Sequence, residues 1–170
     1  MRLYCLLLAS ENGISIGRLN CYMYVFQKVG FKLDYSFRIN VSGVRSKNFS
    51  RYLEEQVSTG LLTQKKGIIN LTSESIALLE MSILSYDEIL SSNKVIEVLS
   101  SLSDDELHLV CVVDMIIKDV IKTKGVGALV DSRDFIEKSV SNLCSAYTKE
   151  NFNLAVALMQ KLKKECYLDE

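Results

Sequence analysis

Residues 45–72 constrain the fold most, because a helix and a hairpin follow one another there with little chain between them. The helix is predicted by apolar side chains at steps of four, which share one face: Phe49, Leu53 and Val57. Ser46 can cap its start and Gly60 can end it. Residues 61–63 and 68–71 can then pair as strands around a polar turn, 64–67. The segment therefore predicts a helix followed by a two-stranded wing.

The elements on either side of this segment fit one layout. Residues 16–29 predict a helix with Ser15 as its cap and with one apolar face: Ile16, Leu19, Met23 and Phe26. Apolar and polar residues alternate over 31–41, which predicts a half-buried strand or extended segment. A first core helix is expected over 1–10, and a long helix runs from Thr72 or Ser73 to about residue 90. In this order the elements form the winged helix-turn-helix layout.

The chain from Asn93 onwards predicts helices alone. One begins at the acidic run 104–106 and reaches Lys124, which matches the helix dipole. After a break at 125–127, two more helices are expected over 132–144 and 148–166. The predicted fold class is mainly α, with a winged helix-turn-helix N-terminal half that carries a small β-wing and an all-helical C-terminal half. The predicted domains are 1–91 and 92–170, either packed against each other or continuous.

The sequence offers no constellation for catalysis or metal binding. His108 is the single histidine and lies in a mostly apolar stretch, and the five cysteines form no CxxC pair. The common catalytic dyads, triads and zinc sites need more than this. We expect no enzyme activity, no catalytic residue, no metal and no cofactor. We also expect reduced thiols in a cytoplasmic protein without a membrane span, since no apolar run reaches 18 residues.

Charge gives two opposed indications about nucleic acid. The net charge of −1 argues against a dedicated nucleic-acid binder, which is usually strongly basic. Residues 45–72 nevertheless carry five cations, opposed only by Glu54 and Glu55. All five are predicted to contact the DNA backbone: Arg45, Lys47, Arg51, Lys65 and Lys66. Asn48 and Arg51 are candidate base readers. Specific DNA reading, weak backbone contact inside a larger complex, and a charged face without a ligand all stay open.

The helix over residues 107–121 is apolar nearly all round, so every side of it must be covered. It is either a central core helix or a helix with one side against a partner subunit. The last helix adds a second broad apolar surface. The candidate protein interface combines both helices: Leu109, Val113, Ile116, Leu154 and Leu158.

Three segments carry a resemblance to a known family. They are the N-terminal MRLYCLLLAS, the second helix GISIGRLNCYMYV, and the helix-to-wing pattern with Leu53, Gly60-Leu61-Leu62, Gly67 and Leu71-Thr72, followed by an all-helical tail. With these the chain resembles the small middle component of bacterial ABC-type three-component defence systems of the Lamassu kind. The stretch YSFRINVSGVRSKNFSRYLEEQVSTGLL is also similar to winged-helix proteins of the Panacea antitoxin and YwgA-like groups. Those groups usually show Gly-Pro where this chain has Gly43-Val44.

The first resemblance implies a role without catalysis. It implies an accessory subunit that bridges an SMC-like coiled-coil ATPase and an effector nuclease, with double-stranded DNA contacted through the complex. The outcome would be antiviral and anti-plasmid defence. The alternative is a stand-alone winged-helix transcriptional regulator or an antitoxin. A partner that co-purifies with the chain separates the first role from the second.

Overall fold

The computed structural model of the chain describes residues 6–7, 10, 12–40, 42–80 and 86–166. Within these ranges the protein is mostly helical, with two small antiparallel sheets. The described part has seven α-helices: α1 (Ile16–Lys28), α2 (Lys47–Ser58), α3 (Ser73–Glu80), α4 (Tyr86–Ser100), α5 (Asp104–Lys124), α6 (Arg133–Leu143) and α7 (Lys149–Cys166). A 3₁₀-helix, Val126–Leu129, lies between α5 and α6. None of the helices in these ranges is both long enough and apolar enough to cross a membrane.

The two sheets use five short strands in the described part. These are β1 (Ile14–Ser15), β2 (Phe37–Asn40), β3 (Gly43–Ser46), β4 (Leu62–Lys65) and β5 (Ile68–Leu71). One sheet has the order β1-β5-β4, and β2 pairs with β3 in the other. Strand β1 pairs with β5 through Ile14 and Ile69. The chain just after β1 is held to the same hairpin, because the Ile16 N–H donates to the Gly67 carbonyl at 3.0 Å.

Helix α1 lies at the centre of the fold. Ser15 caps it as predicted, and its side chain accepts from the Arg18 N–H at 3.1 Å. All side chains over residues 19–26 are buried, whereas the sequence predicts one apolar face. The difference arises because α4, α5 and strand β3 all pack on this helix. A helix covered on several sides carries apolar residues around its circumference.

The two-stranded hairpin predicted as a wing is present, but its turn is shorter than predicted. Strands β4 and β5 pair from Leu62 with Leu71 to Lys65 with Ile68, so only two residues connect them. Lys66 and Gly67 both have positive φ, at 50° and 78°. Two-residue connections with that backbone suit the twist of paired strands. The predicted four-residue turn over 64–67 is therefore wrong at its start, because residues 64 and 65 belong to the strand.

Of the half-buried strand or extended segment predicted over 31–41, residues 37–40 form a strand. Residues 31–36 have no regular secondary structure, and the strand β2 begins at Phe37. The alternation there comes from packing: Phe31 is buried, Leu33 and Tyr35 pack against the core, and the intervening residues are exposed. The Tyr35 N–H donates to Gln27 Oε1 at 3.2 Å, which replaces a strand contact. Residue 41 lies outside the described residues.

The region predicted as one helix from 73 to about 90 contains parts of two described helices. Helix α3 ends at Glu80, residues 81–85 lie outside the described part, and α4 continues to Ser100. Residues 91–93 are therefore helical, and the predicted boundary segment is not a linker. The division into domains 1–91 and 92–170 stays a prediction. Of the helix predicted over 1–10, only Leu6 and Leu7 are described as helical, and both are buried.

The predicted helices of the C-terminal half are confirmed to within a residue or two. Helix α5 opens with a capping box, in which Ser103 and Glu106 satisfy each other's backbone N–H groups. Its first half is a core segment, with every side chain over 109–114 buried. Gly125 ends it, and Thr148 accepts from the Asn151 N–H at 3.0 Å at the start of α7.

A buried carboxylate joins α1, α5 and α7. Asp114 is only 5% exposed, and it accepts from the Tyr24 hydroxyl at 2.6 Å and from Lys163. Lys118, one turn along α5, is a third partner at 3.2 Å. Burial alone would raise the pKa of the Asp114 carboxyl, but the hydrogen bonds from Lys163 and Tyr24 outweigh it and lower that pKa. Burial also lowers the pKa of Lys118 to about 8.

A second link runs from α1 to the junction of α4 and α5. Arg18 pairs with Asp104 at 2.6 Å and donates to the carbonyls of Leu99 and Leu102 at 3.0 and 2.8 Å. The guanidinium thus binds one carbonyl in the last turn of α4 and one just after it, where a helix leaves its carbonyls without i+4 partners. One side chain fixes both the end of α4 and the start of α5 against α1.

We expect Asp114→Ala to lower the free energy of unfolding by about 2 kcal/mol, because it leaves the buried Tyr24 hydroxyl without its acceptor and the partly exposed Lys163 without its carboxylate. Urea denaturation of the full chain measures this. Asp119→Ala is the matched control, since Asp119 is exposed on the same helix and should change stability by less than about 0.5 kcal/mol. Equal effects of the two substitutions would show that the buried carboxylate does not hold the helices together.

Candidate nucleic-acid interface

The hairpin β2–β3 and the start of α2 form an open recess of about 730 Å³. Its described lining is polar: Ser36, Arg38, Asn40, Ser42, Arg45, Ser46, Lys47, Asn48 and Ser50. Three of these residues are cationic and none is acidic. The recess therefore combines positive charge with many hydrogen-bond donors, which is the chemistry that binds phosphate groups.

Asn20 fixes the position of this recess on the core. It is fully buried in α1, and its Oδ1 accepts from the Ser46 N–H at 3.0 Å. Its Nδ2 donates to the Ile16 carbonyl at 2.8 Å, so the amide is satisfied on both sides. Ser46 in turn caps α2 by accepting from the Phe49 N–H at 3.3 Å. The end of β3 and the start of α2 are thus attached to one buried side chain of α1.

The two faces of the hairpin have opposite character. Val44 is buried, and the Phe37 ring meets Tyr24 of α1 edge to face with centroids 5.6 Å apart. Tyr35 extends this aromatic contact to Phe49 of α2 at 5.2 Å. Because side chains alternate along a strand, Arg38 and Arg45 lie on the other face. The apolar face anchors the hairpin and leaves the arginines at the surface.

Three of the five predicted backbone-contact residues lie on or beside this recess. Arg45 and Lys47 line it, and Arg51 is exposed one turn further along α2. Within the described part of the chain, none of the three has an ion-pair partner. Arg18 and Arg133, by contrast, are paired with acids. The cations of α2 and β3 are therefore available to an external anion.

The other two predicted residues lie on the wing. Lys65 is the last residue of β4 and Lys66 is in the turn, and both are exposed. Neither lines the recess. The structure thus brings Arg45, Lys47 and Arg51 together and leaves Lys65 and Lys66 as a separate cationic tip.

Arg38 was not among the residues predicted from sequence, although it lines the recess. It stands opposite Arg45 in the β2–β3 register. In the sequence it is one polar position in the alternating stretch 31–41, and it lies outside residues 45–72. A prediction of the hairpin register could have identified it, because Asn40 and Gly43 flank the turn that sets that register.

Glu54 and Glu55 lie away from the recess, although they follow Arg51 by three and four residues and are its neighbours on the surface of α2. They are exposed in the second half of α2, seven and eight residues after Lys47. At 1.5 Å per residue the first of them lies about 10 Å along the helix from Lys47. That distance is comparable with the Debye length at physiological salt, so their repulsion of a phosphate at the recess is weak.

His108 of α5 lies next to Gly43, at the turn end of the hairpin β2–β3. Gly43 has φ of 98°, and a Cβ placed there would lie 3.3 Å from the Nε2 atom of His108 in α5. That Nε2 is buried and lacks a hydrogen-bond partner among the described residues. His108 faces a second recess, of about 420 Å³, lined also by Arg18, Cys21, Asp104 and Asp105. Burial lowers the pKa of His108, and Asp105 opposes this only in part.

The predicted protein interface is divided by the structure. Leu109 and Val113 are each 1% exposed and pack inside the core, so they present no surface to a partner. Ile116 and Leu158 are partly buried against the core, whereas Leu154 is 61% exposed. An apolar groove of about 550 Å³ lies nearby and was not predicted; its apolar lining includes Ile117, Leu129, Val130, Phe152 and Val156. Residues from three separate segments meet there, at 117, 129–136 and 152–160, which no local pattern reveals.

The described residues contain no group of three or more His, Cys, Asp or Glu side chains placed to hold a metal ion. Cys21, Cys111 and Cys144 are free and buried. Burial raises the pKa of the Cys111 and Cys144 thiols, which keeps them protonated and unreactive.

The comparisons with known proteins give no relative. No family model matches the chain, and neither a curated protein nor a solved structure matches it at a significant level.

We expect the protein to lose stability as the pH falls below about 6.5, the ordinary pKa of histidine. The pKa of His108 is lowered in the folded state, so the unfolded chain binds the proton more readily and acid favours unfolding. His108 is the single histidine, so urea denaturation between neutral pH and the onset of carboxylate titration reports on it. In His108→Gln this part of the pH dependence should disappear. A wild-type stability that is flat across this interval would contradict the prediction.

Proposed function

We propose that this chain is a non-catalytic winged-helix accessory subunit that contacts the DNA backbone within a larger cytoplasmic complex. The recess cations carry the DNA part of the proposal. Arg38, Arg45 and Lys47 converge on one concave surface, no described acid pairs with them, and a buried amide fixes their supporting backbone. Cations held in this way neutralise phosphates without reading bases.

The order of the elements supports a winged-helix arrangement. A short strand precedes α1, α2 follows a connecting hairpin, and a β4–β5 wing comes next. The strand order β1-β5-β4 places the first strand beside the last one, so the wing and the start of α1 share a sheet. In a winged-helix arrangement α2 would be the recognition helix, and its exposed residues are Lys47, Asn48 and Arg51 in its first half and Glu54, Glu55 and Ser58 in its second.

The proposal of an accessory role rests on charge, apolar surface and family resemblance. The net charge of −1 gives no net long-range attraction to DNA, so an isolated chain would bind it poorly. The C-terminal half exposes large apolar side chains, with Leu154 at 61% and Val130, which lines the apolar groove, at 83%. Such surfaces suit a protein partner. The resemblance to Lamassu-like middle components suggests which partner this is. We propose an SMC-like ATPase as the partner, with an effector nuclease as the third component.

A second candidate function is a stand-alone transcriptional regulator. The observation in its favour is that Asn48 and Arg51 are both exposed near the start of α2, where side chains of a recognition helix reach base edges. This function requires sequence preference and, for a two-fold operator, a homodimer. The accessory role requires neither.

A tagged chain isolated from its native cells tests the partner directly. We expect a large coiled-coil ATPase to co-purify with it, and the purified chain alone to be a monomer by light scattering. Leu154→Glu should reduce the recovered ATPase without unfolding the chain, because that side chain is exposed. Glu150→Gln, on the first turn of the same helix, is the control. A homodimer that binds duplex DNA alone, with a steep salt dependence, would favour the regulator instead.

Charge removal on α2 tests the DNA contact in the purified complex. The double variant Lys47→Gln with Arg51→Gln should weaken duplex binding about tenfold and reduce the slope of log affinity against log salt by about 2. The loss should be the same for unrelated duplex sequences. Lys94→Gln with Lys138→Gln removes the same charge from exposed positions on α4 and α6 and should leave both quantities unchanged. An unchanged slope in the α2 variant would contradict backbone contact through α2.

A further inference from the structure

Two arginines face each other directly across the hairpin β2–β3. The register pairs Arg38 with Arg45, so their side chains leave the same face of the ribbon. Directly opposed residues on paired strands have Cβ atoms about 5 Å apart, and like charges in that position destabilise the pair. The same hairpin pairs Phe37 with Ser46 and Ile39 with Val44, where no charge is involved. The arginine pair is thus the unfavourable pair of an otherwise ordinary hairpin.

No described group of the protein relieves this repulsion. Neither arginine side chain has a hydrogen bond or ion pair to a described residue, and Lys47 adds a third positive charge to the same recess. The two strands are nevertheless joined at their near ends, because Asn40 pairs with Gly43 and Asn40 Oδ1 accepts from the Ser42 N–H at 2.9 Å. The two arginines are therefore held close to each other rather than free to separate by bending of the turn.

We propose that Arg38 and Arg45 form a clamp for one phosphate group. A phosphate between two guanidinium groups accepts paired N–H donors from each and replaces their repulsion by attraction. Ser36, Ser42 and Asn48 line the same recess and supply further donors. The recess volume of about 730 Å³ leaves room for the sugars on either side of a backbone phosphate.

The assignment of this phosphate to DNA rests on the proposed function. From the recess the cationic surface continues along α2 through Lys47 to Arg51, which are four residues apart and share a helix face. A surface that continues beyond a single anion site suits a polyanion better than an isolated phosphate. The clamp would fix one phosphate of the backbone in place and so set where the duplex crosses the hairpin.

Thermal unfolding of the full chain in inorganic phosphate and in chloride, at equal ionic strength, tests the clamp. Phosphate stabilises folded proteins in general, so the measured quantity is the difference between wild type and variant. We expect phosphate to raise the Tm of wild type by about 3 °C more than that of Arg38→Gln. In chloride, Arg38→Gln should be about 2 °C more stable than wild type, because it removes the repulsion. Lys94→Gln should respond to phosphate as wild type does.

Arg38→Lys separates the clamp from a general charge effect. It keeps the positive charge but cannot donate in the paired geometry of a guanidinium, so most of the extra phosphate stabilisation should be lost without the gain in chloride. An equal phosphate response in wild type, Arg38→Gln and Arg38→Lys would overturn the clamp. Polyglutamate that stabilises wild type as well as phosphate does, and equally depends on Arg38, would overturn the choice of phosphate over a carboxylate.

Duplex binding by the purified complex distinguishes failure of the clamp from failure of the proposed function. We expect Arg38→Gln to reduce the salt slope by about 1, as loss of one phosphate contact does. A complex that binds DNA with no dependence on Arg38 overturns the clamp and leaves the proposed function intact. A clamp that binds inorganic phosphate in a complex with no affinity for DNA identifies a free phosphate group as the ligand and overturns the DNA contact.

Discussion

The helical arrangement depends on the hydrogen bond and the ion pairs that the Asp114 carboxylate makes. A charge at 5% exposure is tolerated only where partners replace the water it has lost, and here Tyr24, Lys118 and Lys163 do so from three helices. An apolar contact in the same place would allow the helices to slide, whereas an ion pair with a hydrogen-bonded phenol fixes their register. The hydrogen bond and burial together raise the pKa of Tyr24, so the phenol remains a donor at every physiological pH.

The candidate site follows from this central arrangement through a short series of contacts. Asp114 and Arg18 hold α1 against α4, α5 and α7. Asn20 of α1 then binds the Ser46 backbone, where β3 ends and α2 begins. The hairpin lies on the aromatic side chains of α1 and α2, and its outer face carries the arginines. The recess cations are therefore positioned by rigid elements, although the strands that carry two of them are only four residues long.

The parts of the fold that depend on neighbouring residues could be predicted, and those that depend on distant pairing could not. Ser15, Ser46 and Ser103 have short side chains that cap a helix locally, so the helix starts are visible in the sequence. The expectation of a strand over 31–41 holds only in part, because alternating apolar residues show which side chains are buried and not whether the segment pairs with another strand. A segment packed on a core alternates in the same way without pairing. Likewise, Leu109 and Leu154 both belong to apolar helix surfaces in the sequence. Only the packing shows that Leu109 is in the core and Leu154 is at the surface.

The deep burial of α1 has a consequence for synthesis of the chain. Residues 19–26 are covered in large part by α4 and α5, which lie far later in the sequence, and Tyr24 meets Asp114 across 90 residues. While the ribosome is still making the C-terminal half, the apolar side chains of α1 have no complete cover. Exposed surface of this kind is what chaperones bind and what drives aggregation. The emergence of α5, and then of Lys163 on α7, is therefore the step that closes the core of the N-terminal half.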